Sequence, residues 1–181
     1  MSTAPKALAG LYEGGREREQ VIYTPEVIRD VIRELWPEGL ALDPCSGPES
    51  ILEPTWAFGP HMPFPEDRDG LAVPWKHRTY VNPPYKHLKE WLAKAVAEAQ
   101  SGVSEILVLA PVRTHRPWFR IAWLHSNCVI ALNSLKFRGY DQAFPAPLCL
   151  MYWGAWAPEL EARASHLGER VHWGARRTEI A

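Results

Sequence analysis

Asn82, Pro83, Pro84 and Tyr85 stand together where an extended run, TYV, gives way to a helical one. An amide, two residues without a backbone N–H and an aromatic ring supply acceptors and a stacking face. They supply no strong base, metal ligand or covalent nucleophile. That set suits one kind of problem. An exocyclic amino group on a purine is a poor nucleophile because its lone pair is delocalised into the ring. The Asn82 side-chain oxygen and the Pro83 carbonyl would hold its two hydrogens and favour a pyramidal nitrogen with a localised lone pair. Proline fixes φ and so keeps that carbonyl rigid. Tyr85 would offer a face to a base turned out of its stack. The expected chemistry is attack by an amine on an electrophile that is already activated.

Such a turn works only if other elements aim it. In YTPEVIRDVIRELWPEG, Thr24 is read as a helix N-cap, Pro25 as the first helical residue and Glu26 as a charge suited to the helix dipole. Val27, Ile28, Val31, Ile32 and Leu35 form one apolar stripe, and Pro37 with Gly39 ends it. Leu40, Ala41 and Leu42 predict a short buried strand ending at Asp43, after which DPCSGPES turns towards a short helix. The Pro-rich stretch 54–75 has no clear period. Tyr80 and Val81 end a second strand, and His87 to Gln100 make a helix with Leu88, Trp91, Leu92 and Ala95 on one side. EILVLAP reads as a strand buried on both faces, WFRIAWLH as a helix, CVIAL as a strand and LCLMYW as the last strand. Strands alternating with helices predict an α/β domain with a mostly parallel sheet. Asp43, Asn82 and Pro111 each fall just past a strand's carboxyl end, where such sheets bind ligands, so they are expected to share one rim.

At 181 residues the chain suits one domain, read as residues 20–157, with a flexible arm over 1–19 and an extension over 158–181. Hydrophobic content of 46% and charged content of 23% are those of an ordinary soluble protein, and no apolar run approaches a membrane span. Cys45, Cys128 and Cys149 are scattered and show no CxxC, so neither a disulfide framework nor a metal site is expected. A cytoplasmic location fits. A net charge of −1 argues against indiscriminate binding of polyanions over the whole surface. Its distribution matters more: Ile106 to Tyr140 holds no Asp or Glu but carries Arg113, Arg116, Arg120, Lys136 and Arg138. This is either a strip facing phosphates or charge that balances acidic surface elsewhere.

NPPY is similar to the fourth motif of S-adenosylmethionine-dependent amino-methyltransferases. LDPCSGPE resembles their first motif, and YTP before a helix resembles their tenth. DGLAVPW, LVLAPVRTHRPWF and LKFRG resemble segments of the compact phage-type DNA N6-adenine methyltransferases, so the resemblance covers about Tyr23 to Gly154. It implies a Rossmann-like class I methyltransferase fold with helices on both faces of the sheet, shortened between the first and fourth strands. It implies methyl transfer to adenine N6 in DNA, expected to be double-stranded, in a bacterial or phage-infected cell, without metal; a homodimer is left open. By the same resemblance Asn82, Pro83, Pro84 and Tyr85 are catalytic, and Tyr23, Thr24 and Pro25 border the methionine part of the cofactor. Asp43, Pro44, Cys45 and Ser46 would line the cofactor cleft, the Asp43 carboxylate favouring its cationic end. Asp69 would bond the adenine or ribose, or is an ordinary Asp-Gly turn. Arg113, Thr114 and His115 would meet the nucleic acid, with Lys136 and Arg138 as phosphate contacts or as solvated charge.

The chain departs from the pattern in places. Its first motif has one glycine, Gly47, where many relatives carry GxG, and Glu53, Glu66 and Asp67 compete as the acidic ribose ligand. No insertion is long enough for a separate target-recognition domain. Alternatives within the group are cytosine N4, RNA adenine and protein glutamine as substrates. Outside it stands a non-catalytic nucleic-acid-binding relative. Methylation at cytosine C5 is rejected because Cys45 lies in the first-strand turn with no Glu-Asn-Val run downstream.

Overall fold

The computed structural model describes residues 23–103 and 105–172. The arm read over 1–19 lies outside them, as do the last residues of the extension. Helix α1 spans Glu26–Leu35 and buries Ile28, Val31, Ile32 and Leu35, with Gly39 in a left-handed conformation (φ 96°) just beyond it. The cap differs from the sequence reading. Pro25 itself is the N-cap, its carbonyl accepting the Ile28 and Arg29 N–H groups at 3.1 Å, and no side chain caps the helix. The Thr24 hydroxyl is engaged elsewhere.

Strands β1 (Leu42–Asp43), β2 (Trp56–Ala57), β3 (Thr79–Val81), β4 (Ile106–Pro111), β5 (Cys128–Leu132), β6 (Leu148–Trp153) and β7 (Gly168–Arg170) make one seven-stranded sheet in the order β2-β1-β3-β4-β6-β5-β7. Five of its strands point the same way, as expected of a mostly parallel sheet, but its pairings are mixed: β1–β2, β1–β3 and β3–β4 are parallel, and β4–β6, β5–β6 and β5–β7 antiparallel. Because β6 opposes both β4 and β5, those two still point the same way.

Along the long strands successive side chains enter opposite cores, as the pleat requires. Leu107, Leu109, Ile130, Leu150 and Tyr152 face one core with α1 and α4 (Ala157–Ala164). Ile106, Val108, Ala110, Val129 and Met151 face the other, with α2 (Leu88–Gln100) and α3 (Pro117–His125). Helices therefore cover both faces, as expected. Among the described residues no helix is long and apolar enough to cross a membrane.

Three further readings are corrected. LCLMYW is not the last strand: residues set apart as an extension supply α4 and β7, and β7 pairs with β5 at the sheet edge. The run after Asp43 forms turns and no helix. The Pro-rich stretch contains β2 and a single 3-10 turn, Pro65–Asp67, so the span between β1 and β3 holds little regular structure.

That span is nonetheless tightly fitted to the β1 turn. Phe58 N–H donates to the Asp43 carbonyl (3.0 Å), and Ser46 N–H to the Phe58 carbonyl (2.8 Å). A Cβ on Gly70 would sit 1.7 Å from the Pro44 carbonyl oxygen, where only a bare glycine backbone fits. Gly70→Ala is therefore expected to cost about 1–3 kcal/mol, the usual range for forcing atoms into filled space. A denaturant midpoint equal to that of the parent would contradict this packing.

Candidate active site

The order β2-β1-β3 makes the chain reverse its progress across the sheet at β1. From β1 it steps outward to β2, then crosses back to lay β3 on the other side. At such a switch point the loops diverge and leave a crevice beyond the strand ends, where ligands bind in open α/β sheets. Asp43 ends β1 and Asn82 directly follows β3, so the two flank that crevice. Pairing of Leu42 with Thr79 brings Asp43 beside Tyr80.

One hydroxyl joins the helix start to the β3 turn. Thr24 is 8% exposed, and its Oγ1 donates to Tyr80 Oη at 3.2 Å. Its lone pairs then face Asn82, whose Nδ2 donates to Thr24 Oγ1 at 3.5 Å. With Thr24 donating to Tyr80, its oxygen is left to accept, and the Asn82 NH₂ lies on that side. The side-chain oxygen of Asn82 is itself buried, so position 82 holds an acceptor that solvent does not reach. The next acceptors also divide: the Pro84 carbonyl takes the His87 N–H at 3.0 Å, and no hydrogen bond among the described residues engages the Pro83 carbonyl.

Opposite them, Asp43 is buried and its carboxylate accepts the Cys45 N–H at 3.1 Å. Burial raises its pKa from 3.8 to about 7, against the opposing pull of hydrogen bonds from Cys45 and Ser46. Burial, and next the Asp43 charge, push the Cys45 thiol well above its ordinary range, while the Asn82 backbone N–H opposes them. Cys45 is therefore poorly suited to nucleophilic work. Its place between Asp43 and the Asn82 backbone shows how closely the two turns approach.

Tyr85 is partly buried. Its ring meets Phe144 edge-on at 5.5 Å, and its hydroxyl is buried with no hydrogen-bond partner among the described residues. Burial raises the phenol pKa, with the Arg113 charge opposing. Beyond Tyr85 lies a groove of about 330 Å³, lined among others by Lys86, Lys89, Arg113, His115, Arg116 and Trp118. Of the residues assigned to nucleic acid, Arg113 and His115 belong to this groove, and exposed Thr114 lies between them in sequence. Lys136 is exposed elsewhere in the chain. Arg138 is engaged by the protein itself: its guanidinium donates to the Glu49 carbonyl at 2.8 Å and lies 5.9 Å from the centre of the Tyr23 ring. It braces Tyr23 against the first-motif loop.

Asp69 is exposed and its carboxylate accepts the Leu71 N–H at 2.9 Å, the geometry of an Asx turn. Its neighbour Gly70 rests on Pro44, so this turn borders the same crevice. Of the competing acidic residues, Glu53 pairs with Arg33 at 3.3 Å, while Glu66 and Asp67 lie on the 3-10 turn. Sequence reasoning missed Tyr80 as a partner of this site. A period of two puts it on the same strand face as Asn82, and that signal was present. It also missed Lys86, Lys89 and Trp118, which join the groove only through the packing of α2 on α3.

Comparison of the chain with protein-family models, curated proteins and solved structures finds no match.

The raised Asp43 pKa has a sign that stability measurements can read. Between pH 3.8 and about 7 the folded chain holds a proton at Asp43 that the unfolded chain has released. Stability from this group is full below that window and is lost as pH rises through it. Asp43→Asn should accordingly stabilise the protein above pH 7, by an amount on the order of a few kcal/mol, with the gain fading towards pH 4. Urea midpoints at both ends of the window test this; a variant weakened equally at both would exclude a buried, neutralised carboxylate.

Proposed function

We propose that the chain is a Rossmann-like, S-adenosylmethionine-dependent methyltransferase acting on the exocyclic N6 of adenine in DNA. The observation that carries this reading is the Asn82 amide just past β3 beside the buried Asp43 carboxylate that ends the neighbouring parallel strand β1. A crevice with an acid on one wall and amide acceptors on the other matches a cationic cofactor beside an aromatic amine.

The residues present fit that cofactor. Asp43 is a desolvated carboxylate without a basic partner among its hydrogen bonds, so a cation brought beside it would be favoured and would draw its proton off. Tyr23, Pro25 and Ser46 stand on the same rim, and Asp69 borders it. When bound, S-adenosylmethionine supplies a methyl group on a positively charged sulfur, an electrophile that needs no further activation.

The protein's share of the chemistry is then positional. Asn82 Oδ1 and the Pro83 carbonyl accept the two hydrogens of the target amine, which withdraws its lone pair from the ring and directs it at the electrophile. These contacts strengthen as positive charge grows on nitrogen in the transition state. Tyr85 holds the flipped base, and Phe144 braces its ring. Thr24 acts one step back, as a positioning residue: it keeps the Asn82 oxygen, not the NH₂, towards the amine.

Transfer of label from methyl-tritiated cofactor to DNA adenine tests the reading directly. Failure to bind the cofactor or to label DNA would overturn it. Asn82→Ala should lower kcat by about 10²–10³, the range for loss of a transition-state donor or acceptor, with cofactor affinity unchanged. A matching loss of cofactor binding would remove Asn82 from that role. Thr24→Val should lower kcat about tenfold, as for one lost hydrogen bond, at constant KM, and Thr24→Ser should restore it. Equal defects in Val and Ser variants would mean that the threonine methyl matters and the hydroxyl does not.

A further inference from the structure

Several basic side chains of this protein have carboxylate partners. Arg29 pairs with Asp30 at 2.7 Å, Arg33 with Glu53 at 3.3 Å, Lys94 with Glu98 at 2.7 Å and Arg163 with Glu34 at 3.5 Å. On β7, Arg170 pairs with Glu161 at 2.9 Å. The groove beyond Tyr85 instead gathers several cations in one place. Among the described residues Lys89, Arg113 and Arg116 form no ion pair, although they lie together with Lys86 and His115. Glu90 is the one carboxylate in its lining. Concentrating cations without counter-charges costs self-repulsion, which a bound polyanion would relieve. Trp118, partly buried and braced edge-on by Phe119 at 6.2 Å, adds an aromatic wall. A volume of about 330 Å³ is at the small end of ligand pockets.

We infer that this groove is a backbone subsite for nucleic acid, in which Lys89, Arg113 and Arg116 hold phosphates of the strand that presents its base at Asn82. The identity of the strand rests on the methyltransferase reading above; the absence of ion pairs at Lys89, Arg113 and Arg116 among the described residues does not. Two features favour nucleic acid over an acidic peptide. Tyr85 lines the groove and also belongs to the NPPY turn, so a strand lying there is continuous with the reacting base. Cations interleaved with an aromatic wall match the alternation of phosphate and base along a strand. The subsite also extends beyond Arg113 and His115, since it draws Lys89 from the first coil of α2 and Arg116 from the start of α3.

Binding, rather than turnover, tests the inference. A fluorescein-labelled random-sequence DNA duplex, its single strand and a polyglutamate peptide are titrated against the full chain over a range of salt. Lys89→Gln and Arg116→Gln should each lower the slope of log K against log salt by about 0.9 on duplex DNA, and the double substitution by about twice that. Lys94→Gln, on the same helix as Lys89 but already paired with Glu98, should leave the slope unchanged. Cofactor affinity should be the same in all variants. Unchanged slopes at Lys89 and Arg116, with DNA methylated normally, would overturn the groove and leave the enzyme reading standing. Reduced slopes in a chain that methylates nothing would keep the groove and end the enzyme reading. Polyglutamate bound as tightly as DNA, and lost with the same substitutions, would overturn the nucleic-acid assignment.

Discussion

One buried hydroxyl, that of Thr24, links the candidate site to the core. Thr24 has one proton to give and gives it to Tyr80, a side chain that is wholly buried and cannot move aside. What remains on Thr24 is acceptor capacity, which the NH₂ of Asn82 meets at 3.5 Å. An amide at the end of a strand could otherwise rotate between two nearly isosteric orientations, one offering an acceptor and the other two donors. The threonine makes them unequal. It also ties the start of α1 to the end of β3, so the residues at the head of the chain's first described helix serve a turn far away in sequence. This explains why Thr24 does not cap its helix: the same oxygen cannot serve both purposes, and Pro25 needs no side-chain help to start α1.

The other wall of the crevice is held at a thermodynamic cost. Asp43 would be ionised in water at neutral pH, yet burial lifts it to about 7. Replacing it with an apolar residue would suit the fold better, because its hydrogen bonds from Cys45 and Ser46 do not offset the lost hydration. Perturbed carboxylates of this kind gather at functional sites because the local stability they sacrifice is recovered when a ligand arrives. The surrounding fit is consistent with a site held rigid for that ligand. Gly70 lies on Pro44 without room for a methyl group, and the β2 loop hydrogen-bonds to both Asp43 and Ser46 backbones.

Legibility in the sequence followed the strength of local signals. The helix over 26–35 and the strands CVIAL and LCLMYW stand where periodicity puts them, because burial of a stripe or an alternating run is written locally. β2 has two residues and β7 three, too short for any period to register, and each exists only because a neighbouring strand offers its edge. The same holds within the site. Asp43 and Asn82 were placed on a common rim from strand ends alone. Thr24 was misread because an N-cap is a local inference, whereas its partners Tyr80 and Asn82 are distant in sequence. Arg138 was read as a free cation for the same reason: nothing local announces that its guanidinium meets Glu49 and Tyr23.

The choice of asparagine rather than aspartate at position 82 follows from the same crowding. A carboxylate there would be a stronger acceptor for an amine, and on that ground alone would be the better residue. It would also stand near Asp43 and Cys45, in surroundings that already disfavour negative charge at both. Two like charges in one desolvated crevice push each other's pKa upward, so one of the acids would carry a proton at neutral pH. A protonated carboxyl donates where an acceptor is needed. Asparagine escapes that coupling because it has no charge to lose, and the Thr24 hydroxyl supplies the one thing it lacks, a preferred orientation. The neutral amide and the threonine are joined directly, Asn82 Nδ2 meeting Thr24 Oγ1 at 3.5 Å.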